Sequence, residues 1–233
     1  MVSQKETKSK KMIEVDFTGK ELLNGDIFDT TIENIAKEEN IFNKDKKYGP
    51  MSIILGEKEL LDKVEKNLAE MTVGEEKVVA LKCKDAFGER NSDLVRVLPL
   101  KTFQQQKISP VTGLIINVGQ MLGKVQSVSG GRVRVDFNHP LAGRDVEYNV
   151  KLLKIITAGK EMCEKFFEKY YSQIPSVTKE IKETNLYITM PAETLKGIEK
   201  VNDTITKLGK ELGINIEIKA AKKEVKDKTD KAK

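Results

Sequence analysis

Apolar and polar residues alternate along Met12–Thr18, where Ile13, Val15 and Phe17 are separated by Glu14 and Asp16. A period of two predicts a strand with one buried face. Asn24-Gly25 marks a turn, and Ile27-Phe28 opens a second strand. Residues 32–47 are charged, with Ile35, Ile41 and Phe42 as apolar anchors, and read as an inserted loop with a short helix. Met51–Leu55 is a short apolar strand closed by Gly56. Leu60, Leu61, Val64, Leu68 and Met71 recur at steps of three and four, which predicts an amphipathic helix over Leu60–Met71. Glu75–Cys83 follows as a strand with Val79 and Leu81 inward.

From Gly88 to about His139 the texture changes to short β segments between Gly-rich turns. Val95, Val97 and Leu98 form one; Gly113–Val118, Gly123–Val128 and Arg132–Phe137 are three more. This stretch reads as a small all-β subdomain. Val146–Ile156 then returns to the earlier alternation, with Val146, Tyr148, Val150 and Leu152 on one face. Beyond residue 160 a new unit begins. Met162, Phe166, Phe167, Tyr170 and Tyr171 give a helix; Val177–Ile181 and Leu186–Met190 are strands. Leu195, Ile198, Val201, Ile205, Leu208 and Leu212 predict one long helix, and Ile214, Ile216 and Ile218 a last strand. The order αββαβ makes a small α+β domain. So little core is marginal alone, and pairing with a second copy would add burial.

Charge alters the picture less than its total suggests. The 233 residues carry 41 Lys and Arg against 36 Asp and Glu, a net charge of +5. Residues 1–11 and 221–233 each hold a net +3, leaving 31 bases and 32 acids between them. A groove tracking a phosphate backbone needs its positive charge on the folded surface, so this distribution argues against nucleic acid as the partner. Cys83 and Cys163 form no C-x-x-C pair and read as reduced thiols. The one histidine, His139, leaves no zinc site, no metal and no Ser-His-Asp triad. Residues 1–11 lack the apolar stretch of a signal peptide, and no apolar run approaches the roughly 18 residues that span a bilayer. The expectation is a cytoplasmic protein that engages no membrane.

Five phrases carry chemistry by their order. Gly25-Asp26-Ile27-Phe28-Asp29-Thr30-Thr31 follows Phe17-Thr18-Gly19. Leu55-Gly56-Glu57-Lys58-Glu59-Leu60-Leu61, Met71-Thr72-Val73-Gly74-Glu75 and Asp85-Ala86-Phe87-Gly88 come next. Together they resemble the FKBP family of peptidyl-prolyl cis-trans isomerases over about residues 10–156. Asp136-Phe137-Asn138-His139-Pro140-Leu141-Ala142-Gly143 is similar to the hinge at which SlyD-type FKBPs return from an inserted chaperone flap. The whole layout is similar to the long archaeal FKBPs.

The resemblance implies an α+β architecture. Residues 12–89 and 140–157 would form an antiparallel sheet wrapped on a short helix, 90–139 the flap, and 160–220 a C-terminal α+β domain suited to homodimer formation. Residues 1–11 and 221–233 would be a disordered basic tail and a Lys-rich tail. It also implies a pocket. Phe28 and Asp29 match the family's Phe-Asp pair, Phe17 and Phe87 stand at positions usually Tyr, and Tyr148 takes the place of Phe. Leu60 and Leu61 stand for a Val-Ile pair whose second backbone N–H meets the substrate carbonyl. Met51 occupies an aromatic position on the wall, and Val64 that of the Trp or Leu at the floor. Phe17 and Phe87 lack hydroxyls, and Asp62-Lys63 replaces the usual residue-plus-Gly. His139 would serve the hinge. On the flap, Val95, Val97, Leu98, Phe103, Ile108, Leu114 and Ile116 are the candidate contacts to substrate, or in part the flap's own core.

The implied activity needs no cofactor, and its partners would be unfolded or nascent proline-containing polypeptides. Two alternatives stand beside it. One is a holdase whose isomerase pocket has decayed, in keeping with the missing hydroxyls. The other is ribosome or RNA association, from a loose resemblance of Gly123-Lys124-Val125 through Gly131-Arg132-Val133-Arg134-Val135 to a KOW-like β turn.

Overall fold

A computed structural model describes residues 10–157 and 159–221. Most of both tails expected from the charge lies outside the described residues. The inner end of the first is placed: Lys10 bridges Glu57 and Glu211, and Lys11 accepts at its carbonyl from the Leu55 N–H at 3.0 Å. Residues 10 and 11 therefore belong to the fold rather than to a tail.

The first sheet is antiparallel and centred on β1 (Met12–Glu21). Along one side β1 pairs with β9 (Val146–Ile156) from Met12↔Ile156 to Glu21↔Val146. Its other side is shared: β3 (Met51–Ile54) takes Met12–Val15, and β2 (Ile27–Thr30) takes Thr18–Lys20. β4 (Glu76–Leu81) closes the far edge on β9. Between β2 and β3 lies α1 (Glu33–Glu38), whose wholly buried residue is Ala36; the expected anchor Phe42 is exposed and stacks on Tyr48 at 5.3 Å.

α2 (Asp62–Glu70) lies against this sheet. It starts after the extended Leu61, with Asp62 and Glu65 in its first turn, where acidic side chains suit the helix dipole. Val64 and Leu68 on its inner face meet Val15, Phe17, Val150 and Leu152 in one core. The Asp62-Lys63 substitution leaves the helix start intact, and Lys63 pairs with Asp85 at 2.7 Å.

The insert is a four-stranded sheet in the order β5 (Val95–Pro99), β8 (Arg132–Asp136), β7 (Met121–Ser129), β6 (Ile115–Val118). To it the chain adds a short helix, α3 (Leu100–Gln105), which carries Phe103 into a core with Ile116, Val125, Val133 and Val135. Period-two reading sees strands and passes over a six-residue helix with one buried ring.

The last unit runs α4 (Lys160–Tyr170), β10 (Thr178–Lys182), β11 (Asn185–Met190), α5 (Ala192–Gly197), α6 (Glu199–Glu211), β12 (Asn215–Ala220). The single long helix expected over Leu195–Leu212 is two, broken at Ile198 after Gly197. The break shifts the face that follows, so Asn202 is buried and Val201 exposed. β11 pairs antiparallel with β10 and parallel with β12. The core here includes Phe166, Tyr171, Leu186 and Ile188, and also Met12, Ile54 and Ile156 from the first sheet. The two units therefore share one hydrophobic contact region. Truncating a wholly buried ring removes its transfer energy and leaves a void, so Phe166→Ala is expected to destabilise by about 3–5 kcal/mol. Urea unfolding followed by circular dichroism measures this.

Candidate active site

Three adjacent strands, β2, β1 and β9, with the loop before α2 and the segment after β4, bring their side chains to one region. Phe28, on β2, is its centre. Its ring meets Phe87 edge-on at 5.7 Å and 88°, and Tyr148 at 5.7 Å and 73°. Tyr148 in turn meets Phe17 at 5.9 Å. Edge-to-face contacts suit the ring quadrupoles and add about 0.5–1.5 kcal/mol per pair beyond area burial. Opposite them Met51, Leu55, Leu60 and Leu61 are half-buried on the same core, and Val64 is wholly buried beneath.

Gly19 explains how the rings come so close. Its backbone is ordinary extended strand; what it supplies is space, since a Cβ there would lie 2.7 Å from the Phe28 ring and 3.3 Å from Tyr148.

A cleft of about 700 Å³ opens beside this cluster, lined by Phe17, Asp29, Met51 and Leu60 together with Tyr48 and Lys169. A second cleft of about 930 Å³ lies at the flap's base, lined by Ile115, Leu122, His139, Pro140 and Ala142 among others. The His139 ring stacks on Phe87 at 4.7 Å, with only 2° between the planes, while its Nδ1 accepts from the Leu141 N–H at 3.2 Å. The hinge histidine thus reaches the aromatic cluster. Five rings in contact (Phe17, Tyr148, Phe28, Phe87, His139) run from one cleft to the other.

Charged side chains line much of the first cleft, among them Glu14, Asp29, Lys46, Lys47 and Lys165. Lys46 donates to the Asp29 carboxylate and, at 2.9 Å, to the Thr30 carbonyl. The Phe17 N–H donates to Thr31 Oγ1 at 3.0 Å, which itself donates to Asp16 at 2.9 Å. Burial, and then the nearby Asp29 charge, push the Tyr148 phenol up to about 12. The raised value means the folded state holds the proton more tightly than the unfolded chain. Its contribution is complete below pH 10 and is lost as pH rises from 10 to about 12. Burial also pushes the Tyr170 phenol up and Tyr171 up to about 12, so absorbance titration is expected to show a late tyrosinate rise whose amplitude Tyr148→Phe reduces by one residue's share.

Of the residues named from the sequence, Phe17, Phe28, Met51, Leu60, Leu61, Val64, Phe87 and Tyr148 pack on one core, while Phe17, Asp29, Met51 and Leu60 line the cleft. The flap residues divide. Ile116 is 6% exposed, and Leu98, Leu114, Phe103 and Ile108 pack with it in the flap's own core. Val95 is half-buried and Val97 exposed. The outward apolar residues beside the second cleft are instead Ile115, 69% exposed, and Leu122, 67% exposed. Alternation decides this: Ile116 faces inward, so its neighbour Ile115 faces out. Lys46 and Lys169 were not foreseen, because neither lies in a periodic pattern.

The comparisons agree with this geometry. The family model for FKBP-type peptidyl-prolyl cis-trans isomerase matches residues 3–104, and that for "FKBP26, IF domain" matches residues 96–141. A short-type peptidyl-prolyl cis-trans isomerase of Methanocaldococcus jannaschii is 32% identical over 139 residues, covering 60% of this chain and 88% of its own. An FKBP-type 16 kDa isomerase of Escherichia coli K12 is 27% identical over 110 residues, covering 46% and 74%. The SlyD isomerase of Vibrio cholerae is 28% identical over 115 residues, covering 48% and 57%. The chain belongs to the family of FKBP-type peptidyl-prolyl cis-trans isomerases. Among the described residues no helix is long and apolar enough to cross a membrane.

Proposed function

We propose that this chain rotates Xaa-Pro amide bonds against the Phe17–Tyr148–Phe28–Phe87 ring cluster while its flap holds the unfolded polypeptide that carries them. The contiguous rings facing Leu60 and Leu61 carry the reading. Rotation about the amide crosses a barrier of about 18–20 kcal/mol because resonance is lost in the twisted state. No bond breaks, so neither nucleophile nor general acid is required. An apolar surface that grips the proline ring strips water from the amide, and hydration favours the planar, charge-separated form. The Leu61 N–H, at the head of α2, would hold the substrate backbone by a carbonyl.

The flap's part follows from Ile115 and Leu122, an outward apolar pair beside the second cleft. Unfolded chain retained there stays at high local concentration near the rings, as in any linked pair of sites. Val97 would extend the same grip. The clients on this reading are unfolded or nascent chains with interior prolines. Pairing of two copies through residues 160–220 would double that grip, and sedimentation at micromolar concentration reads it directly.

The wild-type chain is expected to accelerate cis-trans exchange of an Ala-Leu-Pro-Phe peptide in NMR exchange spectra. Asp29→Ala, which strands Lys46 at the pocket edge, is expected to slow it several-fold. A rate equal to buffer would overturn the isomerase reading and leave the holdase. The holdase has its own support in the Lys46 contact that occupies Asp29. Replacing residues 92–137 by a short loop is expected to keep peptide exchange and abolish catalysis of proline-limited refolding. Equal loss of both would refute the division of labour.

A further inference from the structure

The isomerase loop before α2 is held from two directions, and one of the anchors comes from the C-terminal unit. Glu65, on α2 itself, is buried and accepts from the Gly56 N–H at 2.9 Å and the Leu60 N–H at 3.1 Å. Glu59 accepts from the Ile54 N–H at 3.0 Å through Oε1, and its Oε2 receives Lys169 Nζ from the last turn of α4. Lys169 also donates to the Ser52 carbonyl of β3 at 2.8 Å. The Lys169 and Glu59 side chains are only 18% and 17% exposed, so neither charge has ready access to water.

We infer that Lys169 is a positioning residue for isomerisation: through Glu59 it sets the loop that presents the Leu60 and Leu61 backbone to substrate. The inference rests on the pocket reading above. The physical reasoning is short. A carboxylate this enclosed needs its cation. Without it Glu59 turns toward solvent and releases the Ile54 N–H; Lys11 and Lys10 still hold Leu55 and Glu57, but toward Leu60 and Leu61 the loop is left to Glu65. An anchor that wanders while the amide rotates loses orientation, and misplacement by about 1 Å can lower a rate on the order of a hundredfold. The rings that bind the proline side chain are untouched, so the loss falls on kcat rather than on KM.

The test compares full-length variants. Lys169→Met is expected to lower kcat for peptide isomerisation about five- to tenfold with KM changed less than about twofold. Lys169→Arg, which keeps a cation in reach of Glu59, should recover most of the rate. Lys154→Met removes another pair that ties α4 to the first sheet, Lys154–Glu161 at 2.5 Å, and should leave the rate unchanged. An unaltered rate in Lys169→Met would refute the inference, as would equal losses in Lys169→Met and Lys154→Met. Amide hydrogen exchange supplies a readout that does not need activity. Faster exchange at Ile54 and Leu60 in Lys169→Met than in Lys154→Met is expected, and equal exchange overturns the proposal even if the wild-type chain proves inactive. Failure of the pocket reading appears separately, as a wild-type rate equal to buffer.

Discussion

The structure depends first on β1, buried along one whole face and, at Met12, at one end of the other. Ile13, Val15 and Phe17 point into the core with Val64 and Leu68, while Met12 enters the core of the C-terminal unit. Glu14, on the Met12 face, is paired at 2.8 Å with Lys165 of α4. Backbone pairing follows the same economy, with β9 along one side and β3 and β2 dividing the other. A central strand paired along both edges and apolar on one face has little freedom to slip, since a one-residue shift would turn Ile13, Val15 and Phe17 out and bring Glu14 and Asp16 in. The positions of Phe17 and Tyr148 are therefore set by a ladder rather than by loops, and Phe28 sits at the irregularity where β2 passes Gly19 and Lys20.

That rigidity lets the ring cluster keep one shape beside a cleft that is largely charged. Rings that touch edge-on leave few alternative packings, and Gly19 admits Phe28 where any side chain would collide. Several polar groups around the rings are partnered: Asp29 by Lys46, Glu59 by Lys169, and Glu65 by two backbone amides. A buried carboxylate that accepts two N–H donors is adequately satisfied without a cation. Glu65 thus holds the loop from within the isomerase unit, whereas Glu59 makes the same loop answerable to α4.

Much of this was legible in the sequence, for identifiable reasons. Alternation located β1 and β9, and steps of three and four located α2, because burial on one face imposes a period that survives in any single sequence. Family phrases then grouped Phe28, Leu61 and Phe87, which the structure packs on one core. What escaped had no period. Lys46 lies 17 residues from Asp29 and Lys169 lies 110 from Glu59, so each pair is created by tertiary folding alone. The break at Ile198 escaped because Leu195 and Ile198 keep helical spacing across it. On the flap, apolar type was read correctly but its direction was not: Ile115 and Ile116 are identical residues with opposite fates.

The five-ring run between the two clefts bears on how long a client can be. Both clefts are open at the surface, and the rings lie between them rather than at the bottom of a blind hole. Phe17 and Tyr148 are only 5% exposed, so a polypeptide bound as proposed would rest on Phe28, Phe87 and His139 with both of its ends outside. On that reading it would need no free terminus to enter, and a proline hundreds of residues from either end would be as accessible as one in a short peptide. The proposed site would act on a chain as a pulley does on a rope, at whatever point the two are in contact.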